Sequence, residues 1–187
     1  MISTTAEPDD GALAAQALGG SQRAYALLME RHREAVYRIV RGHVGDAEEA
    51  LDVTQASFVS AFAALRRYDR ARPFRAWLVR IALNKCHDWA RRKRVRRFLA
   101  YALPFGVAED MADSAPGTET EVADREALSR AMTAIAALPD TLKEPLLLHA
   151  VEGWSQAETA SILGISAKAV ETRIYRARTK LSEMLRD

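Results

Sequence analysis

Cysteine is all but absent from this chain: Cys86 stands alone in 187 residues. One thiol excludes an internal disulfide and a cysteine-built zinc site, and it suits a reducing cytoplasm. Proline and glycine are sparse, at six and nine, and almost nothing alternates apolar with polar residues as a half-buried strand does. An all-α protein is therefore expected. No apolar run approaches the roughly 20 residues that cross a bilayer, so no direct membrane insertion is expected. The opening MISTTAEPDD is polar and acidic, without the basic and apolar regions of a signal peptide. Also missing is any convergence of nucleophile, acid and base, or a carboxylate metal cluster, so no catalytic residue, metal or cofactor is expected.

What is present is charge, unevenly spread. Residues 1–98 hold 18 Lys/Arg against 11 Asp/Glu, 99–126 hold one against seven, and 127–187 hold eight against seven. A basic block, an acidic tether and a near-neutral block predict two small helical domains, 1–98 and 127–187, joined by a flexible linker over 99–126. The basic domain suits a polyanionic partner. The first ten residues read as disordered, with Asp10 a cap for a short helix to about Leu18. Ser21 opens a helix to about Arg41. Asp46 and Glu49 have the spacing of a capping box, starting a helix to about Leu65 with Leu51, Phe58, Phe62 and Leu65 as its apolar stripe. A loop spans 66–73, and a helix runs from Phe74 to about Arg97. Pro104, Gly106, Pro116 and Gly117 break the linker, whose apolar opening FLAYALPFGVA has a second reading as a short docked segment. Beyond it, a helix starts near Asp140, Ser155 and Glu158 form a second capping box, Gly164 stops that helix, and Ser166 caps a last one to about Leu185. Two short helices separated by Gly164-Ile165-Ser166 have helix-turn-helix spacing.

On the last helix Ile174, Ala177 and Leu181 fall within about 40° of Val170, forming the buried stripe. Lys168, Thr172, Tyr175 and Thr179 lie opposite, flanked by Glu171 and Arg176. Such a face suits a major groove, with cations on phosphates and polar groups on base edges. An ordinary solvated helix face is the plainer reading. Arg173, at the core edge, is as well explained by a structural or phosphate-facing role as by base contact.

The 74–97 helix is apolar on two sides: Val79, Leu83, Cys86 and Ala90 on one, Phe74, Leu78, Ile81 and Trp89 on the other. Between them runs a strip of Arg80, Asn84, His87 and Arg91, beside Trp77. The helix then reads RRKRVRR over 91–97, six basic residues in seven. Cations interleaved with Tyr68, Phe74 and Trp77 suit unpaired DNA, whose bases stack on rings, although core packing accounts for Phe74 and Trp77 equally well. His87 beside Cys86 is not read as a metal site, because adjacent helical residues diverge by about 100° and no further ligand is in evidence.

These residues resemble a known family. Asp52-Val-Thr-Gln55-Ala-Ser-Phe58, then Phe74-Arg-Ala-Trp77-Leu78-Val-Arg80-Ile81-Ala82-Leu-Asn84 and the basic run, resemble region 2 of extracytoplasmic-function sigma factors, bacterial subunits that direct RNA polymerase to promoters. Ala137-Leu138-Pro139 through Leu146-Leu147-Leu148, Glu152-Gly153-Trp154-Ser155, Glu158, and Val170 through Arg178 resemble their region 4. The resemblance implies that Asp52, Gln55 and Phe58 grip the β′ clamp helices of core polymerase. It implies that Tyr68, Phe74, Trp77, Arg80, Asn84, His87 and Arg91 read and melt the −10 element, and that Lys168, Glu171, Thr172, Arg173, Tyr175 and Arg176 read the −35 element, with region 4 on the β flap. It further implies a bacterial cytoplasmic protein, a stress- or metal-response regulon, and an anti-sigma partner, membrane-bound in many relatives. Three positions depart from the family pattern: Ala56 stands where Glu is usual, Ala169 where Thr is common, and Glu171 where a neutral or basic residue is frequent. The rivals are a stand-alone helix-turn-helix regulator, which needs a β/α-alternating sensor domain that 1–98 lacks, and a DNA-acting enzyme, which needs a catalytic constellation.

Overall fold

A computed structural model describes the backbone of residues 8–102 and 119–186 and the side chains of 8–99 and 126–186. Most of the presumed disorder at the start (1–7) and the middle of the linker (103–118) lie outside the described residues. Among those described, all regular structure is helical, as the composition predicted.

The first module contains α1 (Asp10–Leu18), α2 (Gln22–Val44), α3 (Ala47–Ala63) and α4 (Phe74–Ala102). The cap of α1 is Asp9, not Asp10: its carboxylate accepts from Ala12 N at 2.7 Å. Asp10 is the first helical residue and binds His32 Nε2 at 2.8 Å, pinning α1 to α2. Ser21 caps α2 as expected. That helix runs one turn further than predicted, to Gly45, whose φ of 85° supplies the left-handed stop that a side chain would resist. Only half of the first capping box forms. Asp46 accepts from Glu49 N at 2.8 Å, while the Glu49 carboxylate turns to Lys93 Nζ at 2.9 Å on α4.

The predicted apolar stripe holds at Phe58, Phe62 and Leu65, which bury or pack against the first module's core, but fails at Leu51. The buried face of α3 is Ala50, Val53, Thr54, Ser57, Phe58 and Ala61, whereas Leu51 is 59% exposed. Small residues at 50, 57 and 61 let α3 lie close against its neighbours, so the larger side chains about 100° round the helix fall on the flank. A 3-10 turn (Leu65–Arg67) and a loop to Pro73 lead into α4.

The second module contains α5 (Glu119–Ala137), α6 (Asp140–Leu146) continuing into a π turn (Leu147–Val151), α7 (Gln156–Leu163) and α8 (Ala167–Met184). Helical backbone thus occupies both ends of the predicted linker, 99–102 and 119–126. The second capping box forms in full: Glu158 N donates to Ser155 Oγ at 3.2 Å, and Ser155 N to Glu158 Oε2 at 2.9 Å. Gly164, with φ 67°, turns the chain into Ser166, which caps α8.

The modules do not hang apart on a tether; they pack together. Ile39 of α2 and Val79 and Leu83 of α4 share a buried cluster with Leu148, Trp154 and Ile162 of the second module. Gly42 permits the approach, since a Cβ there would stand 2.4 Å from Leu147 Cδ2. Beside this cluster the Glu152 side chain, fully buried, accepts from Arg38 Nε at 2.7 Å and from Arg75 at 2.7 Å. Arg75 also covers the Trp154 ring at 4.5 Å.

Candidate nucleic-acid interface

The reading face of α8 stands clear of the body. Val170, Ile174 and Ala177 are buried with Leu138, Leu146 and Ala160, and Leu181 packs against them. That leaves Tyr175 73% exposed, with Lys168, Glu171 and Arg176 exposed and Thr172 and Arg173 half-buried. Glu171 accepts from Lys168 at 2.7 Å. This exposed pair is worth little in stability, but it neutralises the first cation of the face. Thr172 donates back to the Lys168 carbonyl at 2.9 Å, sealing the first turns.

The α4 strip is equally open: Arg80, Asn84, His87 and Arg91 are all exposed. The aromatic residues divide. Phe74 is 2% exposed and belongs to the core; packing, not base stacking, accounts for it, and it drops out as a direct contact. Tyr68 and Trp77 lie over it with ring centroids 5.2 and 5.5 Å away, half-buried and 5.2 Å from each other. The Tyr68 hydroxyl donates to the Arg72 carbonyl at 2.7 Å and so holds the preceding loop. Burial raises the pKa of this phenol, with Asp10 adding to the effect. The loop and α4 thus present two ring edges on a buried Phe74 base beside Arg80 and Asn84, an arrangement suited to holding unstacked bases. In the basic run, Lys93 and Arg96 face Glu49 at 2.9 and 3.7 Å, and Arg91 pairs with Asp88 at 2.7 Å.

On α3, Asp52 and Gln55 are exposed, but Phe58 is 3% exposed. Phe58 is therefore a structural wall of the surface, not its contact tip. A groove runs here between α2 and α3, lined by Met29, Tyr37, Leu51, Gln55, Val59 and Phe62. Exposed Leu51 and Val59 were not among the sequence candidates. Their signal was available, because apolar residues beside Asp52 and Gln55, off the small-residue face, have no partner within α3.

Two constellations join the modules, and neither was anticipated. One is Glu152 with Arg38 and Arg75. The other surrounds His87, which contacts Glu144 of α6, with the His43 ring 5.7 Å away. His87 was read as lacking co-ligands; the fold brings His43 and Glu144 to it. Nearby Cys86 is buried, and burial pushes its thiol from 9.0 up to about 12, leaving it neutral and unreactive. It packs with the first module's core, not with Val79 and Leu83 as the periodicity suggested.

With both surfaces in view, comparison with known proteins is decisive. Residues 28–97 match the family model for sigma-70 region 2, and 128–181 that for sigma-70 region 4. The chain belongs to the extracytoplasmic-function sigma factors. It is 44% identical over 182 residues to the RNA polymerase sigma factor CnrH of Cupriavidus metallidurans, covering 96% of this chain and 95% of that one. It is 30% identical over 172 residues to the ECF RNA polymerase sigma factor SigW of Bacillus subtilis, covering 90% and 92%. The solved structure of CnrH in complex with the cytosolic domain of CnrY superposes with a TM-score of 0.69 at 38% identity, covering 94% of this chain and 96% of that one. This sigma factor accordingly directs core polymerase to promoters and initiates transcription, and the stand-alone regulator reading is set aside. No described helix is long and apolar enough to cross a membrane.

Proposed function

We propose that this sigma factor reads its promoters with two separate surfaces and rests, when free, in a closed form that cannot use both at once. Arg80 and Asn84, with Tyr68 and Trp77, take the −10 element and its unpaired bases. Lys168, Thr172, Tyr175 and Arg176 on α8 dock on the −35 duplex, with Glu171 restricting which bases are accepted. Asp52 and Gln55, with Leu51 and Val59, seat on the β′ clamp helices, and the second module on the β flap. The observation carrying this reading is the pattern of exposure. Each polar reading face stays in solvent while the reverse of its helix is locked in a core.

Scale supports the closed resting form. Elements some 25 base pairs apart lie about 85 Å from each other along duplex DNA. A compact body of this length has a radius of gyration of about 16 Å, hence a width of about 40 Å. The docked modules cannot span that distance, so polymerase must separate them. An antagonist acting in the cytoplasm could hold them together. The CnrH complex with the cytosolic domain of CnrY supports a membrane-anchored protein in that role, and a stress- or metal-response regulon is the corresponding output.

Transcription in vitro with core polymerase on a promoter library tests the reading. Specific initiation should require core, while the free chain binds the same duplexes at least a hundredfold more weakly than holoenzyme. Equally tight, sequence-specific binding by the free chain would overturn the closed resting form.

A further inference from the structure

His43 stands out among the described residues because both of its ring nitrogens are buried without a hydrogen-bond partner. It sits at the end of α2 with its ring fully enclosed. Buried polar atoms are almost always paired, and an orphan costs a substantial part of what burial contributes. Yet Nε2 is not aimed at apolar surroundings. It points to Glu144 Oε1 at 3.6 Å and to Asp140 Oδ1 at 3.5 Å, both on α6 of the other module. From α4, His87 Nε2 meets the same Glu144 oxygen. The donor atoms of His43, His87 and Glu144 all lie within 4.8 Å of one another.

We propose that His43, His87 and Glu144, with Asp140 as an outer fourth ligand, bind a borderline divalent transition metal of the zinc, cobalt(II) or nickel(II) type across the seam between the modules. Two imidazoles and a carboxylate are the donor set such ions prefer, whereas magnesium and calcium take oxygens. Bonds of about 2.0–2.2 Å put neighbouring donors roughly 3.0–3.5 Å apart. The His43–Glu144 and His43–Asp140 spacings are already close to that, so the widest separation must contract and the tight His87–Glu144 contact must open. His87 and Asp140 are 44% and 45% exposed and provide both an entry path and room to adjust. The charges facing the site are the Asp140 and Glu144 carboxylates and the Lys143 ammonium, which binds the His43 carbonyl at 3.1 Å and Asp140 at 3.4 Å. Two anions against one cation leave a negative site.

The ligands span α2 and α4 of the first module and α6 of the second, so the complete site exists only in the docked form. Metal binding must then favour closure, by about a hundredfold at a concentration 100 times the dissociation constant. The proposal rests on the docked arrangement, which scattering from the metal-free chain checks independently. The full-length chain, stripped with chelator, is titrated with Co(II), then Zn(II), and followed by visible absorption and calorimetry. One Co(II) per chain with d–d bands, displaced by Zn(II), is expected. His87→Ala, at a half-exposed position, and Glu144→Gln, which keeps the side chain's shape, should each weaken binding at least tenfold. Zn(II) should also compact a Trp154→Ala chain, loosened at the seam away from the ligands, by small-angle scattering. A compact stripped chain that takes up no Co(II), or His87→Ala binding like wild type, overturns the site while leaving docking intact. Full binding with no compaction of the loosened chain overturns its role in closure. An extended stripped chain that metal does not compact overturns docking and site together.

Discussion

Helices α8 and α4 both carry polar reading faces, but they are held in place differently. Helix α8 has one apolar side, filled by its own module through Val170, Ile174 and Ala177. Helix α4 has two. Phe74, Leu78, Ala82 and Cys86 complete the first module's core, while Val79 and Leu83 are covered by Leu148, Trp154 and Ile162 of the second. A one-sided helix reveals its reading face directly, as whatever lies opposite the core. A two-sided helix reveals that a second partner exists without naming it. Here the second partner is the other half of the same chain, and the reading strip runs beside that seam.

Removing the partner's largest side chain at the seam should break this symmetry most sharply. Trp154 is 7% exposed against α4's second face, and large-to-small aromatic changes typically cost 3–5 kcal/mol. Part of that is lost within its own module. About 3 kcal/mol of docking should go, roughly a hundredfold shift toward the open form, read by distance-sensitive fluorescence between the modules. Circular dichroism should hold, because the Val170–Ile174 core is untouched. A chain that stays closed would mean that the seam is not what buries Val79 and Leu83.

A smaller effect is expected at the charge cluster. Glu152→Gln keeps shape and one hydrogen bond but takes the buried anion from both arginines, leaving Arg38 only its exposed pairing with Glu34 at 2.8 Å. Because those arginines are 44% and 36% exposed, they rehydrate, so the loss stays near 2 kcal/mol, below that of a fully enclosed pair. Interdomain fluorescence should shift by about thirtyfold in the closed-to-open ratio, and docking should become less sensitive to salt than in wild type.

What could be read in the sequence follows the same division. Caps and stops such as Ser155, Gly164 and Ser166 act within four residues, and the α8 stripe within one module, so local chemistry determines them. Leu51 was misplaced because α3 packs through alanine and serine, and counting large apolar residues finds its flank. The pattern had Phe58 on the apolar stripe and left core packing open for Phe74, and only the resemblance put both on surfaces, because a ring looks the same whether it stacks on a base or fills a core. The links from His43 and His87 to Glu144, and from Arg38 to Glu152, join positions 57 to 114 residues apart. Burial of a polar group by a distant partner leaves no local period to read.

The finest division is between the two reading faces themselves. Arg176→Ala and Lys168→Ala remove duplex contacts, so they should weaken the closed complex about tenfold and flatten its salt dependence, since fewer counterions are released. For Lys168 the loss should be the smaller, because Glu171 already neutralises it. Asn84→Ala with Arg80→Ala should leave that first complex nearly intact and slow opening about tenfold. These side chains flank Trp77, where an extruded base can rest; capture offsets a few kcal/mol of unstacking, and without it the barrier rises. Permanganate reactivity on fully duplex and premelted promoters separates the two steps. On a premelted template the opening term is already supplied, so the Asn84/Arg80 variant should recover most of its activity while the Arg176 variant should not. Equal defects on both templates would show that the α4 strip merely tightens binding, as α8 does, and the contrast between the two helices would then concern packing alone.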